Sequence, residues 1–179
     1  MRKLILSATA VMILSLAAVP RVAAAPVGVL SDAQLQQVRQ TCREAQVNLH
    51  SLQQRDTVLR INRGRLYDQV SKQTGAFVAR LGVNKVNAPE VKQIDSDIRN
   101  QVQYFKSDYN SYANDLDAAL AANCTDKPQD FYDSLQRAVS GRRAVGADVD
   151  TIKQGMASYV AALARLQNEK FPAPAAGAK

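Results

Sequence analysis

An all-α bundle of three long helices running up, down and up, coiled-coil-like and closed by one disulfide, is the fold class that the sequence predicts. Three observations predict it. Apolar residues recur at intervals of three and four along three long segments, separated by only two short stretches with helix-breaking character. The composition is rich in Ala, Gln, Arg, Asp and Leu, with 8 Gly, 6 Pro and no Trp, and no stretch alternates as a strand would. The two cysteines, Cys42 and Cys124, fall at positions that an antiparallel helix pair brings together.

The first helix is expected over about residues 32–81. Ser31-Asp32-Ala33-Gln34 has the form of a capping box and opens it. Leu35, Val38, Cys42, Ala45, Leu49, Leu52, Leu59, Leu66, Val70, Phe77 and Leu81 then mark a continuous seam, and Gly82 is the expected stop. The second helix, about 89–122, is announced by Asn87 as cap, Pro89 in the first turn and Glu90 beside it. Its stripe is Val91, Ile94, Ile98, Val102, Phe105, Tyr109, Tyr112, Leu116 and Ala119. The segment CTDKPQD connects to the third helix, about 128–170, whose stripe runs from Phe131 through Leu135, Ala138, Val145, Val149, Ile152, Met156, Tyr159 and Leu163 to Leu166. Short loops oblige such helices to alternate in direction.

Outside the bundle domain (25–171) the two ends read differently. Residues 1–24 have a basic start (Arg2, Lys3), an apolar run from Leu4 to Val19 and small residues before a cut after Ala24, the layout of a cleaved signal peptide. The alternative is an uncleaved anchor, since a thinned bilayer accommodates a run of that length. Membrane contact is expected only in that second case. Cleavage removes Arg2, Lys3 and Arg21 and no acid, lowering the formal charge from +7 to +4. That excess aids solubility and argues only weakly for a polyanion. The tail FPAPAAGAK leaves helical rules at Pro172, and 172–179 is expected to be disordered.

Export favours a bond between Cys42 and Cys124, because oxidising compartments preserve disulfides. Geometry makes the same point. In an antiparallel hairpin, facing residue numbers have a constant sum, about 169 for a loop centred on Gly82–Asn87, and the two cysteines fall within about one turn of that condition.

The stretch RDTVLRINRGRLYDQV breaks the first seam. Counted by threes and fours, Asp56 and Arg63 occupy positions where burial is expected, and Arg142 does so on the third helix. The same register brings Asp56, Arg63, Tyr109, Tyr112 and Arg142 to one height in the bundle. An unpaired buried charge is costly, so the expectation is a polar layer: Asp56 accepting from Arg142 or a tyrosine, and Arg63 lying along Tyr109 or Phe105. Its role would be to fix register rather than to add stability. The alternative is that the charged side chains sit on the rim and reach water. Arg55, Arg60 and Arg65 remain outside as candidates for an anionic or protein partner, although charge runs of this kind usually only solvate a face.

The chemistry of catalysis is hard to assemble here. His50 is the only histidine and lies off the seam, and no CxxC, GxGxxG or GxxxxGK[ST] motif occurs. Asp95 with Asp97, and Asp148 with Asp150, are two apart on a helix and diverge, which suits solvation better than acid–base work. No enzymatic activity, catalytic residue, metal, cofactor or small-molecule substrate is therefore expected, and nucleic acid is a disfavoured partner.

Arg55-Asp56, Asn62-Arg63-Gly64, Tyr67, Asn123-Cys124 and Phe131-Tyr132-Asp133-Ser134 together resemble an uncharacterised family of small secreted helical proteins encoded by ultrasmall bacteria of the candidate phyla radiation. The resemblance implies export and a helical fold, and it supplies no activity, ligand or catalytic residue to carry over. The function expected is a non-enzymatic extracytoplasmic (secreted or cell-envelope) structural or protein-binding module, with a protein or envelope component as partner. The alternative is an extracytoplasmic chaperone for unfolded or envelope proteins, which requires an apolar groove that mutual packing of the three stripes would consume.

Overall fold

The computed structural model describes residues 28–170; the expected signal peptide and tail lie outside them. Three helices account for nearly all of this span: α1 (Asp32–Val83), α2 (Pro89–Ala121) and α3 (Pro128–Lys170). At the start of α1 both halves of the capping box form, with Ser31 Oγ accepting from the Gln34 backbone and Gln34 Oε1 accepting from the Ser31 backbone.

The α1–α2 loop ends differently from the expectation. Gly82 lies inside the helix, and Lys85 takes the left-handed conformation with φ 55°. Val86 N–H donates to Leu81 C=O at 2.9 Å and Lys85 N–H to Gly82 C=O at 3.0 Å, the Schellman pattern, with a lysine where glycine is usual. Asn87 does not cap α2; that position belongs to buried Ala88, which offers no side-chain acceptor. In the second loop Asn123 Oδ1 accepts from the backbone of Thr125 and Asp126, which turns the chain beside Cys124.

The register follows from these short loops. Gln53 faces Asp117, Asp56 faces Tyr112 and Arg60 faces Asn110, all within about one residue of the expected α1–α2 sum. Cys42 and Cys124 are bonded, with Cα atoms 5.6 Å apart, and join the N-terminal third of α1 to the loop after α2. Cross-linking residues 82 apart contributes about 4–5 kcal/mol in the chain-entropy model.

α2 and α3 form the most intimate pair. Every residue of the α2 stripe is buried except the partly buried Ile94, and α3 buries Ala138, Val145, Val149, Ile152 and Tyr159 against it, while Phe131 packs with Cys42 and Cys124. The close approach comes from a line of small side chains on α3: Ser134, Gly141, Asp148, Gly155 and Ala162 recur about every seven residues. A Cβ added at Gly141 would lie 3.2 Å from both Cα and Cβ of Tyr112, and one at Gly155 would lie 2.9 Å from Ile98 Cγ1. α1 packs more sparsely, along α2, and touches α3 at few points.

The first seam is where the sequence reading needs correction. Leu59, Leu66 and Phe77 are exposed; the buried residues of α1 are Cys42, Asp56, Tyr67, Thr74 and Leu81, with Leu49 partly buried among them. Cys42, Leu49 and Asp56 repeat about every seven residues, as do Tyr67, Thr74 and Leu81, but an interval of about eleven separates the two sets. That interval is a heptad with a four-residue insertion. It carries the buried line past the leucines, which stand roughly a quarter-turn away on the helix.

Two expectations follow for backbone positions. Gly64→Ala meets nothing within 4 Å, so it should raise stability by about 0.5–1 kcal/mol in urea unfolding, whereas Gly141→Ala must displace the Tyr112 backbone and should lower it by about 1–2 kcal/mol despite better helix propensity. Lys85→Gly removes the left-handed penalty and should raise the thermal midpoint, with a gain of about 1 kcal/mol.

Candidate functional site

The polar layer stands at the middle of α1. Asp56, only 6% exposed, accepts a hydrogen bond from Tyr112 Oη at 2.8 Å, and Arg142 grips the same carboxylate from α3, with Nε 2.8 Å from Oδ2 and Nη2 3.2 Å from Oδ1. The two-pronged contact is the strong form of the arginine–carboxylate pair. Three helices thus meet on one carboxyl group. Burial by itself raises the Asp56 pKa, but the hydrogen bonds from Arg142 and Tyr112, together with the charge of Arg142, outweigh it and hold the group below 3.8. Burial and the adjacent carboxylate push the Tyr112 phenol well above its ordinary value. An ionised carboxylate held by three donors is a poor proton acceptor, so the layer is built for attachment rather than for acid–base chemistry.

Tyr109 lies in the same layer, its ring 5.6 Å from Tyr112 and edge-on to it. The arginine against its face is Arg60, with the guanidinium carbon 5.1 Å from the ring centroid and Nη2 donating to Asn110 Oδ1 at 2.7 Å. Arg63, expected along Tyr109 or Phe105, is exposed and lines a surface groove to which both rings contribute. Arg60 is therefore part of the layer's edge rather than a free outer charge. Arg55, Arg60 and Arg65 do not make one patch, because successive members five apart on a helix diverge by about 140°. Arg65 donates to Asn62 on its own helix, and Arg55 is exposed beside the layer.

Two further acids are buried, against the reading that assigned them to solvent. Asp95 is fully buried at 0% exposure, with Arg99 Nη2 2.7 Å from its Oδ2. Asp148 is buried between α3 and α2, where Gln101 Nε2 donates to its Oδ1 at 2.6 Å. Both positions carried a signal. Asp95 continues the line of Val102, Tyr109 and Leu116 at heptad spacing, and Asp148 belongs to the small-residue line of α3. Their neighbours Asp97 and Asp150 are exposed, as expected.

The layer is flanked by two surface depressions. One, of about 450 Å³, lies between α1 and α2 along Gln53, Thr57, Arg60, Tyr109 and Asp117. The other, of about 220 Å³, lies between α1 and α3, with Leu59 and Arg63 on one wall, Arg142 and Gly146 on the other, and Tyr109 at its base. Beside the second runs the displaced stripe of α1: Leu59 is 45% exposed, Leu66 51% and Phe77 36%. Among the described residues, no group of three or more His, Cys, Asp or Glu is placed to hold a metal ion, and no helix is long and apolar enough to cross a membrane.

Comparison of the chain with family models, curated proteins and solved structures finds no match in any of the three.

The Asp56 layer makes a pH-dependent prediction. Because the folded-state pKa is lowered, the stabilisation it brings is complete above the ordinary value of 3.8 and is lost as pH falls through the lower folded value. Asp56→Asn should cost about 1–3 kcal/mol near neutrality, and this deficit should shrink as the pH is lowered below 3.8. Urea unfolding of both proteins at several pH values measures it; a deficit constant with pH contradicts the assignment.

Proposed function

We propose that this protein is a non-enzymatic extracytoplasmic module that binds another protein through the outward flank of α1. One observation carries the reading: Leu59, Leu66 and Phe77 share one side of a long helix and are left in water. Aligned apolar side chains of this size are more informative than scattered ones, because a row of them is what a packing partner covers. The Cys42–Cys124 bond supports a location outside the cytoplasm, since reducing compartments seldom preserve such bonds. It also ties down the N-terminal third of α1, so that a partner meets a helix already held in place. The outer arginines are a weaker basis for binding, because Arg60 is engaged by Tyr109 and Asn110.

The same exposed stripe favours a second reading, an extracytoplasmic chaperone, and the two differ in selectivity. A photo-crosslinking residue at Leu66, compared with one at exposed Ser107 on α2, separates them in cells that export the protein. A binding module should give one or a few discrete adducts from position 66 alone, abolished by Leu59→Glu. A chaperone should give a heterogeneous smear and should suppress aggregation of a reduced client at stoichiometric amounts. Equal labelling from both positions would sink both readings.

A further inference from the structure

The three helices stand like three members of a four-helix bundle. α2 is in contact with both of the others along its length, whereas α1 and α3, which run parallel, meet at few points, as helices on a diagonal do. The angle between α1 and α3 on one side is the groove that holds Leu59, Arg63, Arg142 and Gly146. Both walls repeat at heptad spacing. Leu52, Leu59 and Leu66 recur on α1; Val139, Gly146, Lys153 and Val160 recur on α3. Val139 and Val160 are exposed like Leu59 and Leu66, and a Cβ at Gly146 would meet nothing within 4 Å. The tie at Asp56–Arg142 sets α1 and α3 level, so that Leu59 and Gly146 line one groove and, counted at the same offset, Leu66 comes to the height of Lys153. A pair of parallel heptad lines with an unfilled angle between them has the periodicity of a helix seat.

The charges around the seat are one-sided. Arg55 and Arg63 are exposed and make no ion pair among the described residues, whereas Arg142 on the other wall is balanced by Asp56. Lys153 is offset by Asp150 at 3.2 Å, and the nearest acid on α1, Asp56, is buried and consumed by Arg142 and Tyr112. A second copy of the chain would bring this arginine-rimmed face against its own like. A lipid surface is flat and does not enter the angle where Gly146 lies. We infer that the α1–α3 groove is the seat for a fourth helix supplied by a partner protein, an amphipathic helix whose apolar stripe is flanked by acidic residues.

This rests on the protein-binding role proposed above and adds the chemistry of the partner. The test uses a labelled synthetic peptide of about four heptads, leucine at the two core positions and glutamate beside them, titrated against the oxidised protein by fluorescence anisotropy. Two controls accompany it: the same peptide with lysine for glutamate, and the glutamate peptide broken by central prolines. The glutamate peptide should bind one to one, at least about tenfold tighter than the lysine peptide, and more weakly as salt rises. Leu66→Glu should weaken it by at least about tenfold, consistent with loss of a buried anchor. Arg63→Glu should weaken the glutamate peptide and strengthen the lysine peptide. Both substitutions are at exposed positions, and circular dichroism checks that the bundle is unchanged. Equal binding of the two peptides overturns the inference, as does binding indifferent to Leu66→Glu. Sedimentation that shows a dimer dissolved by Leu66→Glu overturns it in favour of a second copy, and Leu66-dependent flotation with phosphatidylglycerol vesicles in favour of a membrane. A discrete adduct from position 66 without peptide binding refutes only the acidic helix; failure of both refutes the binding role as well.

Discussion

A carboxylate withdrawn from water on one helix has to be met by donors from the others, and that requirement fixes how these three helices stand. Asp56 has no protein donors on its own turn to satisfy it; Tyr112 reaches it from α2 and Arg142 from α3. Sliding α1 by one turn would leave an acid, a guanidinium and a phenol each in the wrong place, at several kcal/mol for a broken buried pair. Apolar contacts along α1 are too few to impose that register, because its buried face holds only five fully buried side chains, two of them Asp56 and Thr74. α2 and α3 need no such device, since the small-residue line of α3 keys directly into the α2 backbone at Gly141. The molecule is thus a tight helix pair with a third helix pinned to it by a disulfide at one end, a charged clasp at the middle and apolar contacts through Tyr67 and Leu81 beyond.

Height in the bundle was legible in the sequence, and rotation about the helix axis was less so. Loop midpoints determine which residues stand level, which is why counting brings Cys42 to Cys124 and Asp56 to the height of Tyr112 and Arg142. Counting says nothing about which of two nearby arginines turns inward. The leucine line places Arg63 along Tyr109 or Phe105, yet Arg60 occupies the Tyr109 ring face, since the buried line of α1 has by then left the leucines behind. The stripes of α2 and α3 raised no such ambiguity, because each of those helices has one dominant apolar line and the two lines meet. α1 has two lines, and the sequence reading assumed that mutual packing would consume the leucine one.

Buried acids show the same limit from another side. That acids two apart diverge points Asp95 and Asp148 toward solvent, which is sound geometry but leaves one of each pair free to face inward. Position in the heptad, rather than residue type, was the informative signal for both. The local backbone was the least legible feature. Gly82 looked like the helix stop, but the loop places its left-handed residue at Lys85, where the Schellman hydrogen bonds from Lys85 and Val86 hold a conformation that lysine disfavours.

The polar interruption and the exposed leucines have a common cause. For Asp56 to face Tyr112 and Tyr67 to face Phe105, the buried line of α1 must advance by about eleven residues between them instead of by two heptads. Leu59 and Leu66, which keep the strict heptad, are turned roughly a quarter-turn out of the interface by that step. Filling the layer with leucine at position 56 would remove the demand for the step and allow α1 to roll its leucines inward. The charged clasp therefore does more than set register: by holding α1 at this rotation, it keeps the leucine stripe in water.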